Sequence, residues 1–149
     1  MPLSLQLAGI GRMVREAVES RLEQAGLSVR LLGVMGHLFA SPGLSISELA
    51  RRARVSAPSM LAIVRQLEAD GLIERTSPAG RGNTAQLNLT DAGRRARLRA
   101  NEALSALDGV LFGSLAPDQR DALREALQQV GTVLVDTAAR SSTSPERGR

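Results

Sequence analysis

The chain of 149 residues has no cysteine, tryptophan or tyrosine, and its one histidine is His37. Without cysteine there are no disulfides, thiolate metal sites or cysteine nucleophiles. A single histidine excludes a metal site built from several histidines. The only aromatic residues are Phe39 and Phe112, so a stacking platform for single-stranded nucleic acid is not expected. With so few catalytic residue types, we expect no enzyme, metal or cofactor.

Lysine is also absent, and all 19 basic residues are arginine against 15 acidic residues. The positive charge is concentrated in the middle of the chain. Residues 51–99 hold ten arginines and four acids, a local net charge of +6, and the remainder carries −2. Such a segment is typical of a surface that faces a polyanion. A solvated surface rich in arginine would have the same net charge. Charge alone therefore leaves open whether this segment binds a polyanion or only faces water.

No targeting or membrane segment is predicted. The first arginine is Arg12, so the basic start of a signal peptide is missing. The longest apolar stretch, residues 31–40, is shorter than the roughly 20 residues of a membrane span. Apolar residues make up 43% of the chain, which is enough for a packed core. We therefore expect a cytoplasmic protein of about one domain.

The apolar periodicity predicts a mainly helical fold with one small β-hairpin. A capping box of Ser45 and Glu48 opens a short helix that ends near Arg54. Ser56 is placed to cap the next helix, over residues 57–70. Thr90 is placed to cap a long helix over residues 91–112. The other predicted elements are helices over residues 3–25, 27–40 and from 115 onwards, and strands over residues 72–76 and 85–89.

Two short helices joined by a tight turn and followed by a hairpin form a winged helix-turn-helix. Its second helix enters the major groove of DNA with its N-terminal end. The apolar stripe Met60, Ile63, Val64 and Leu67 is predicted to face the core. The residues predicted to contact DNA are Ser45, Arg52, Arg54, Ser56, Ala57, Pro58, Ser59, Ala62, Arg65, Arg75 and Arg81.

The helix predicted over residues 57–70, here called the reading helix, has few side chains suited to recognising particular bases. Its first two turns hold no arginine, asparagine or glutamine for a bidentate contact to a base. We therefore expect modest direct readout, with much of the affinity coming from phosphate contacts. His37 has two open interpretations, a structural histidine or a group that binds a ligand or senses pH.

Four segments together resemble the MarR family of bacterial transcription regulators. They read LSISELARR at residues 44–52, VS at 55–56, LEADGLIER at 67–75 and LTDAG at 89–93. The resemblance implies a homodimer with two winged helix-turn-helix lobes on a pseudo-palindromic double-stranded DNA operator. It also implies a repressor that a small-molecule effector releases. The candidate ligand-binding residues in this sequence are His37 and Arg15.

The family pattern further implies a division of the chain. Residues 1–26 and 91–140 would form the helical dimerisation region and 27–90 the DNA-binding lobe. Residues 141–149 are small and polar and include proline and glycine, so they are expected to be a disordered tail. The sequence departs from the family in the wing, where an Asp-x-Arg motif is usual. Residues 79–84 contain no aspartate, and Arg81 stands in for the wing arginine.

A second function class stays open at this point. A winged helix can serve as a protein–protein interaction module that does not bind DNA. The small number of base-recognising side chains on the reading helix and the incomplete wing motif favour this alternative. The +6 charge of residues 51–99 favours a DNA-binding regulator.

Overall fold

The computed structural model describes residues 1–76 and 85–142, and its contacts divide the chain into two compact units, Met1–Leu107 and Asp108–Arg149. The fold class is as predicted, mainly helical with one two-stranded antiparallel hairpin. This division by contacts differs from the functional division given above, which stays a prediction. The elements are α1 (Leu3–Gln24), α2 (Val29–Ala40), α3 (Ile46–Ala53), α4 (Ala57–Ala69), β1 (Ile73–Thr76), β2 (Gln86–Leu89), α5 (Asp91–Phe112) and α6 (Pro117–Ser142).

Helix α2 begins two residues later than the sequence predicted. Gly26 has a φ of 72°, a left-handed conformation that ends α1. The backbone N–H of Leu27 then donates to the carbonyl of Leu22 at 2.9 Å, and both side chains are buried. Ser28 caps α2 by accepting a hydrogen bond from the N–H of Leu31 at 3.3 Å. The apolar character of Leu27 predicts helix, but its buried side chain lies in the turn between α1 and α2.

The core of the first unit is made by apolar side chains from α1 to α5 and from both strands. All four residues of the predicted apolar stripe of α4 are buried, as expected from their helical spacing. The hairpin closes this core through Ile73, Leu87 and Leu89. The largest fully buried side chains are Leu22, Met35, Leu38, Leu49, Met60, Val64, Leu67 and Leu87.

A short backbone bridge before α3 extends the hairpin and was not predicted. Leu44 pairs with Leu87 of β2, and the N–H of Leu87 donates to the carbonyl of Leu44 at 3.0 Å. The N–H of Gly43 donates to the carbonyl of Leu87 at the same distance. These bonds attach the start of α3 to the hairpin. The helix-turn-helix and the two strands therefore pack together as one body.

The start of α5 is fixed against the end of α4 by Thr90 and Gly93. The hydroxyl of Thr90 donates to the carbonyl of Gly71 at 2.7 Å and accepts from the N–H of Gly93 at 3.0 Å. Thr90 therefore caps α5, as predicted. A Cβ atom at Gly93 would lie 2.0 Å from the carbonyl oxygen of Leu72. Only glycine allows this approach of α5 to the chain that leaves α4.

The second unit contains the last residues of α5 and the whole of α6. The guanidinium of Arg120 bonds the carbonyls of Leu115 and Gly113 at 3.1 and 3.2 Å, which ties the connection to the first turns of α6. None of the described side chains of α6 is buried. Exposed apolar side chains are instead found at Leu127, Val130, Val133, Leu134 and Val135.

Helix α6 continues to Ser142, two residues into the segment predicted as a disordered tail. The small polar residues from Ser141 onwards predict the end of the helix, but a helix tolerates such residues in its last turn. Residues 143–149 of the predicted tail lie outside the described residues. In the part of the chain that is described, no helix is both long and apolar enough to cross a membrane.

Candidate nucleic-acid interface

The exposed surface of α3, the following turn and the first half of α4 forms the candidate interface. Arg54 ends α3 in a left-handed conformation with a φ of 54°. The N–H of the next residue, Val55, donates to the carbonyl of Ala50 at 3.1 Å. The buried side chains of Leu49 and Met60 hold the two helices to the core behind the turn. The sequence predicted the position of this turn but not the left-handed arginine.

The N-terminal end of α4 combines small exposed side chains with an uncompensated helix dipole. Ser56 caps the helix by accepting from the N–H of Ser59 at 3.2 Å, and its hydroxyl donates to Ser59 Oγ at 2.8 Å. The first turn contains no acidic residue. The positive end of the dipole therefore favours an approaching anion such as a phosphate. The other predicted contact residues on this helix, Ala57, Pro58, Ala62 and Arg65, are all exposed.

Three exposed arginines lie at the end of α3, beside the start of α4. Arg51 and Arg52 occupy its last turn and Arg54 is its C-cap residue. The Nη1 of Arg52 donates to the hydroxyl oxygen of Ser41 at 2.9 Å, which holds one side of its guanidinium and leaves other N–H groups for a ligand. Cations at a helix C-terminus also complement its dipole. This cluster supplies the positive charge that a phosphate backbone requires.

Ser45 has a structural role in the capping box predicted at the start of α3. Its hydroxyl accepts from the N–H of Glu48 at 3.2 Å and donates to Glu48 Oε2 at 2.8 Å. The backbone N–H of Ser45 donates to the same carboxylate oxygen at 2.8 Å. These bonds, led by the backbone one, lower the pKa of Glu48, and Arg52 and Arg51 contribute further. A DNA contact by Ser45 stays a prediction.

Arg75 has a protein partner that the sequence analysis missed. Its Nε donates to Glu68 Oε1 at 2.6 Å and its Nη2 to Glu68 Oε2 at 3.1 Å, a bidentate pair between β1 and the end of α4. The hydrogen bond to Glu68 raises the pKa of Arg75. The two residues lie on either side of the turn at Gly71, and the packing of β1 against the end of α4 brings their side chains together. Arg81, the predicted wing arginine, lies outside the described residues.

A cleft behind the helix-turn-helix includes His37. It has a volume of about 220 Å³ and is bounded by α2, the turn after α3, and α4. Arg30 and His37 lie two helical turns apart on the same side of α2, so a cation and an imidazole edge share an otherwise apolar cleft. The remaining lining residues are Val29, Gly33, Val34, Ala53, Val55 and Ile63. Arg15 lies exposed on α1 outside this set, so the structure does not bring the two predicted ligand residues together there.

A cation–π contact links α5 to α2 in the first unit. The guanidinium carbon of Arg97 lies 3.9 Å from the centre of the Phe39 ring. Phe39 as a whole is 54% exposed, and the arginine covers part of an apolar side chain that would otherwise face water. The sequence contained no signal for this pair, because the two residues are distant in the chain and belong to different helices.

Comparison with known proteins identifies the family. A profile described as the MarR family matches residues 21–82. The HTH-type transcriptional repressor Rv2887 of Mycobacterium tuberculosis is 30% identical over 131 residues, which cover 88% of this chain and 94% of the relative.

Solved structures of the same relative also match. The crystal structure of Rv2887 in complex with DNA has a TM-score of 0.73 at 29% identity, covering 88% of this chain and 98% of that one. Its complex with salicylic acid has a TM-score of 0.68 at 30% identity, covering 87% and 96%. The resemblance drawn from the four sequence segments is confirmed, and the chain belongs to the MarR family of transcriptional regulators.

Proposed function

We propose that the protein is a homodimeric repressor that binds a pseudo-palindromic operator in double-stranded DNA. The observation that carries this proposal is the exposed N-terminal half of α4, free of acid in its first turn and flanked by Arg51, Arg52 and Arg54. The repressor Rv2887, which has been crystallised with DNA, supports the same conclusion. The protein would act by binding, without catalysis, in the cytoplasm where a bacterial chromosome lies.

The described residues support two different roles on DNA, one for the start of α4 and one for the arginines beside the turn. The small side chains of Ser56, Ala57 and Ser59 let the start of α4 approach base edges and thymine methyl groups. The arginines beside the turn neutralise phosphates and position the helix without reading sequence. In a twofold dimer the two α4 helices would lie about 34–36 Å apart, one turn of DNA.

The test is a fluorescence anisotropy titration of duplexes from the region upstream of the gene, across a salt series. With about 6–10 phosphate contacts, affinity should fall by on the order of 10³–10⁵ between 50 and 200 mM salt while one palindromic fragment stays preferred. Arg65→Gln should weaken binding to that fragment, and the control Arg99→Gln, with the same loss of charge on α5, should change it less. No binding at low salt would refute the proposal in favour of a protein-binding winged helix.

We further propose that the cleft between α2 and α4 is the effector site. Its apolar walls suit a small ring, and Arg30 and His37 suit a carboxylate or phenol on that ring. The volume of about 220 Å³ lies below the 300–1,000 Å³ of pockets for drug-sized ligands, which favours a single-ring compound. The salicylic acid complex of Rv2887 supports this class of ligand. A ligand there would lie against Val55 and Ile63, and would bias the position of the helix-turn-helix.

The probe for this site is salicylate, titrated against the DNA-free protein by NMR. We expect shifts at residues that line the cleft, with weaker binding in Arg30→Gln and His37→Ala. Arg15→Gln tests the second predicted ligand residue and should leave the affinity unchanged if the cleft alone holds the ligand. Salicylate binding that is insensitive to both Arg30 and His37 would place the effector elsewhere.

A further inference from the structure

The bidentate pair of Arg75 and Glu68 joins the strand of the wing to the C-terminal end of the reading helix. The two bonds measure 2.6 and 3.1 Å, and the side chains are 38% and 27% exposed. Bidentate arginine–carboxylate pairs fix the relative orientation of their partners as well as attracting them. The pair spans the turn at Gly71, where the chain passes from α4 into β1.

We propose that Arg75 is a positioning residue, which acts on DNA binding through Glu68 by holding β1 at a set angle to α4, and is not itself a phosphate contact. This inference rests on the proposed function. It also changes the role expected for Arg75 from its sequence, which was direct contact with DNA.

The geometry of the turn explains why such a link matters. At the backbone, the N–H of Leu72 donates to the carbonyl of Leu67 at 2.9 Å, and the carbonyl of Leu72 accepts from the N–H of Thr90 at 3.1 Å, so these bonds hold the chain where it leaves the helix. Further along, β1 is a four-residue strand with only Ile73 buried. The side-chain pair at Arg75 adds a second attachment to α4, two residues beyond Ile73. Since β1 is also paired with β2 along its length, this link fixes the orientation of the hairpin relative to α4 at a second point.

The charges give a second reason. Glu68 lies on α4 and would repel phosphates if it were unpaired. The fork of Arg75 occupies both carboxylate oxygens and neutralises that charge. Removing either partner therefore harms binding, but for different reasons. Loss of either partner breaks the side-chain link between β1 and α4, and loss of Arg75 also leaves the carboxylate of Glu68 without its bidentate cation.

The experiment compares Glu68→Gln, Arg75→Gln, the double variant and the exchanged pair Glu68→Arg/Arg75→Glu. A positioning role predicts that both single variants lose about three- to tenfold in operator affinity and that the double variant loses no more than one of them. The exchanged pair should recover most of the affinity. The slope of affinity against salt should not change in Glu68→Gln, because no phosphate contact has been removed.

Asp70→Asn is the matched control. Asp70 is an acid at the same end of α4, but its hydrogen bond is to Gln66 of the same helix at 3.0 Å. Removing its charge should leave operator affinity unchanged or raise it. If Glu68→Gln behaves like Asp70→Asn, or binds more tightly than the wild type, Arg75 does not act through Glu68 and the proposal is wrong. A salt slope reduced by about one in Arg75→Gln alone would identify a phosphate contact instead.

A readout without DNA separates this inference from the proposed function. In the free protein, the Nε–H resonance of Arg75 should be resolved and should move in Glu68→Gln but not in Asp70→Asn. Thermal unfolding checks that each variant is folded. A further variant, Arg75→Lys, retains the positive charge but cannot form the bidentate pair with Glu68. If the wild type binds none of the duplexes, the proposed function is wrong. The Nε–H signal of Arg75 still decides whether the link to Glu68 exists.

Discussion

Single hydroxyl groups determine where the two helices of the candidate interface begin. The hydroxyl of Ser56 accepts from the N–H of Ser59 in the first turn of α4, and another short acceptor can do the same. Ser56→Asp should therefore keep the cap and the stability of the fold. It should nevertheless weaken operator binding by at least tenfold, because a carboxylate would oppose the phosphates expected at this end of the helix.

Ser56→Ala is the complementary variant. It removes the cap and should lower the free energy of unfolding by about 0.5–2 kcal/mol, with less effect on DNA binding than the aspartate. Urea denaturation and anisotropy, measured on the same samples, separate the two effects. Operator binding by Ser56→Asp at wild-type affinity would show that this end of α4 does not face DNA.

Gly93 is required for packing and not for backbone conformation. A Cβ there would meet the carbonyl oxygen of Leu72 at 2.0 Å, and neither backbone segment can move without disturbing the Thr90 cap. Gly93→Ala should lower the free energy of unfolding by about 1–3 kcal/mol or more. Gly36→Ala in α2 is the control. No atom lies within 4 Å of its added Cβ, so it should raise stability by about 0.5–1 kcal/mol.

At the scale of elements, the capping box makes the stability of α3 depend on pH. The folded protein holds the pKa of Glu48 below its unfolded value of about 4.3, chiefly through the N–H and hydroxyl of Ser45. The stabilising contribution is therefore fully present above about pH 4.3 and is lost as the pH falls through the folded pKa.

Glu48→Gln should reduce the fall of the melting temperature at acid pH. It should keep part of the capping box, since glutamine also serves at this position. The direct measurement is an NMR titration of the Glu48 carboxyl carbon. A midpoint at or above about 4.3 would contradict the expected shift.

The elements could be predicted from the sequence because their signals are local. The capping box, the Ser56 cap and the apolar spacing of α4 each lie within a few residues, and all three appear in the structure. Contacts between elements could not be predicted in this way. The pair of Arg75 and Glu68 and the stack of Arg97 on Phe39 depend on how strands and helices pack. The cleft at His37 has the same origin, since three separate segments form it.

At the scale of the whole molecule, no side chain described in the second unit is buried. Helix α6 is 26 residues long, and none of its described side chains is buried. A helix that exposes an apolar stripe gains most of its stability from packing against another surface. The spacing of Leu123, Leu127, Val130 and Leu134 is that of a helix–helix seam. A second copy of the chain is the partner that the family implies.

Leu134→Glu should therefore convert the proposed dimer into monomers and abolish tight operator binding, because each lobe would then contact only half of the operator. Leu134 is 63% exposed in the single chain, so the substitution should leave the fold of Met1–Leu107 intact, as circular dichroism would show. The matched control is Gln129→Glu, which adds the same charge more than a third of a turn away from the centre of the apolar stripe. Sedimentation at micromolar concentration measures the oligomeric state of both variants. A wild-type monomer, or a dimer that survives Leu134→Glu, would show that α6 does not form the dimer contact.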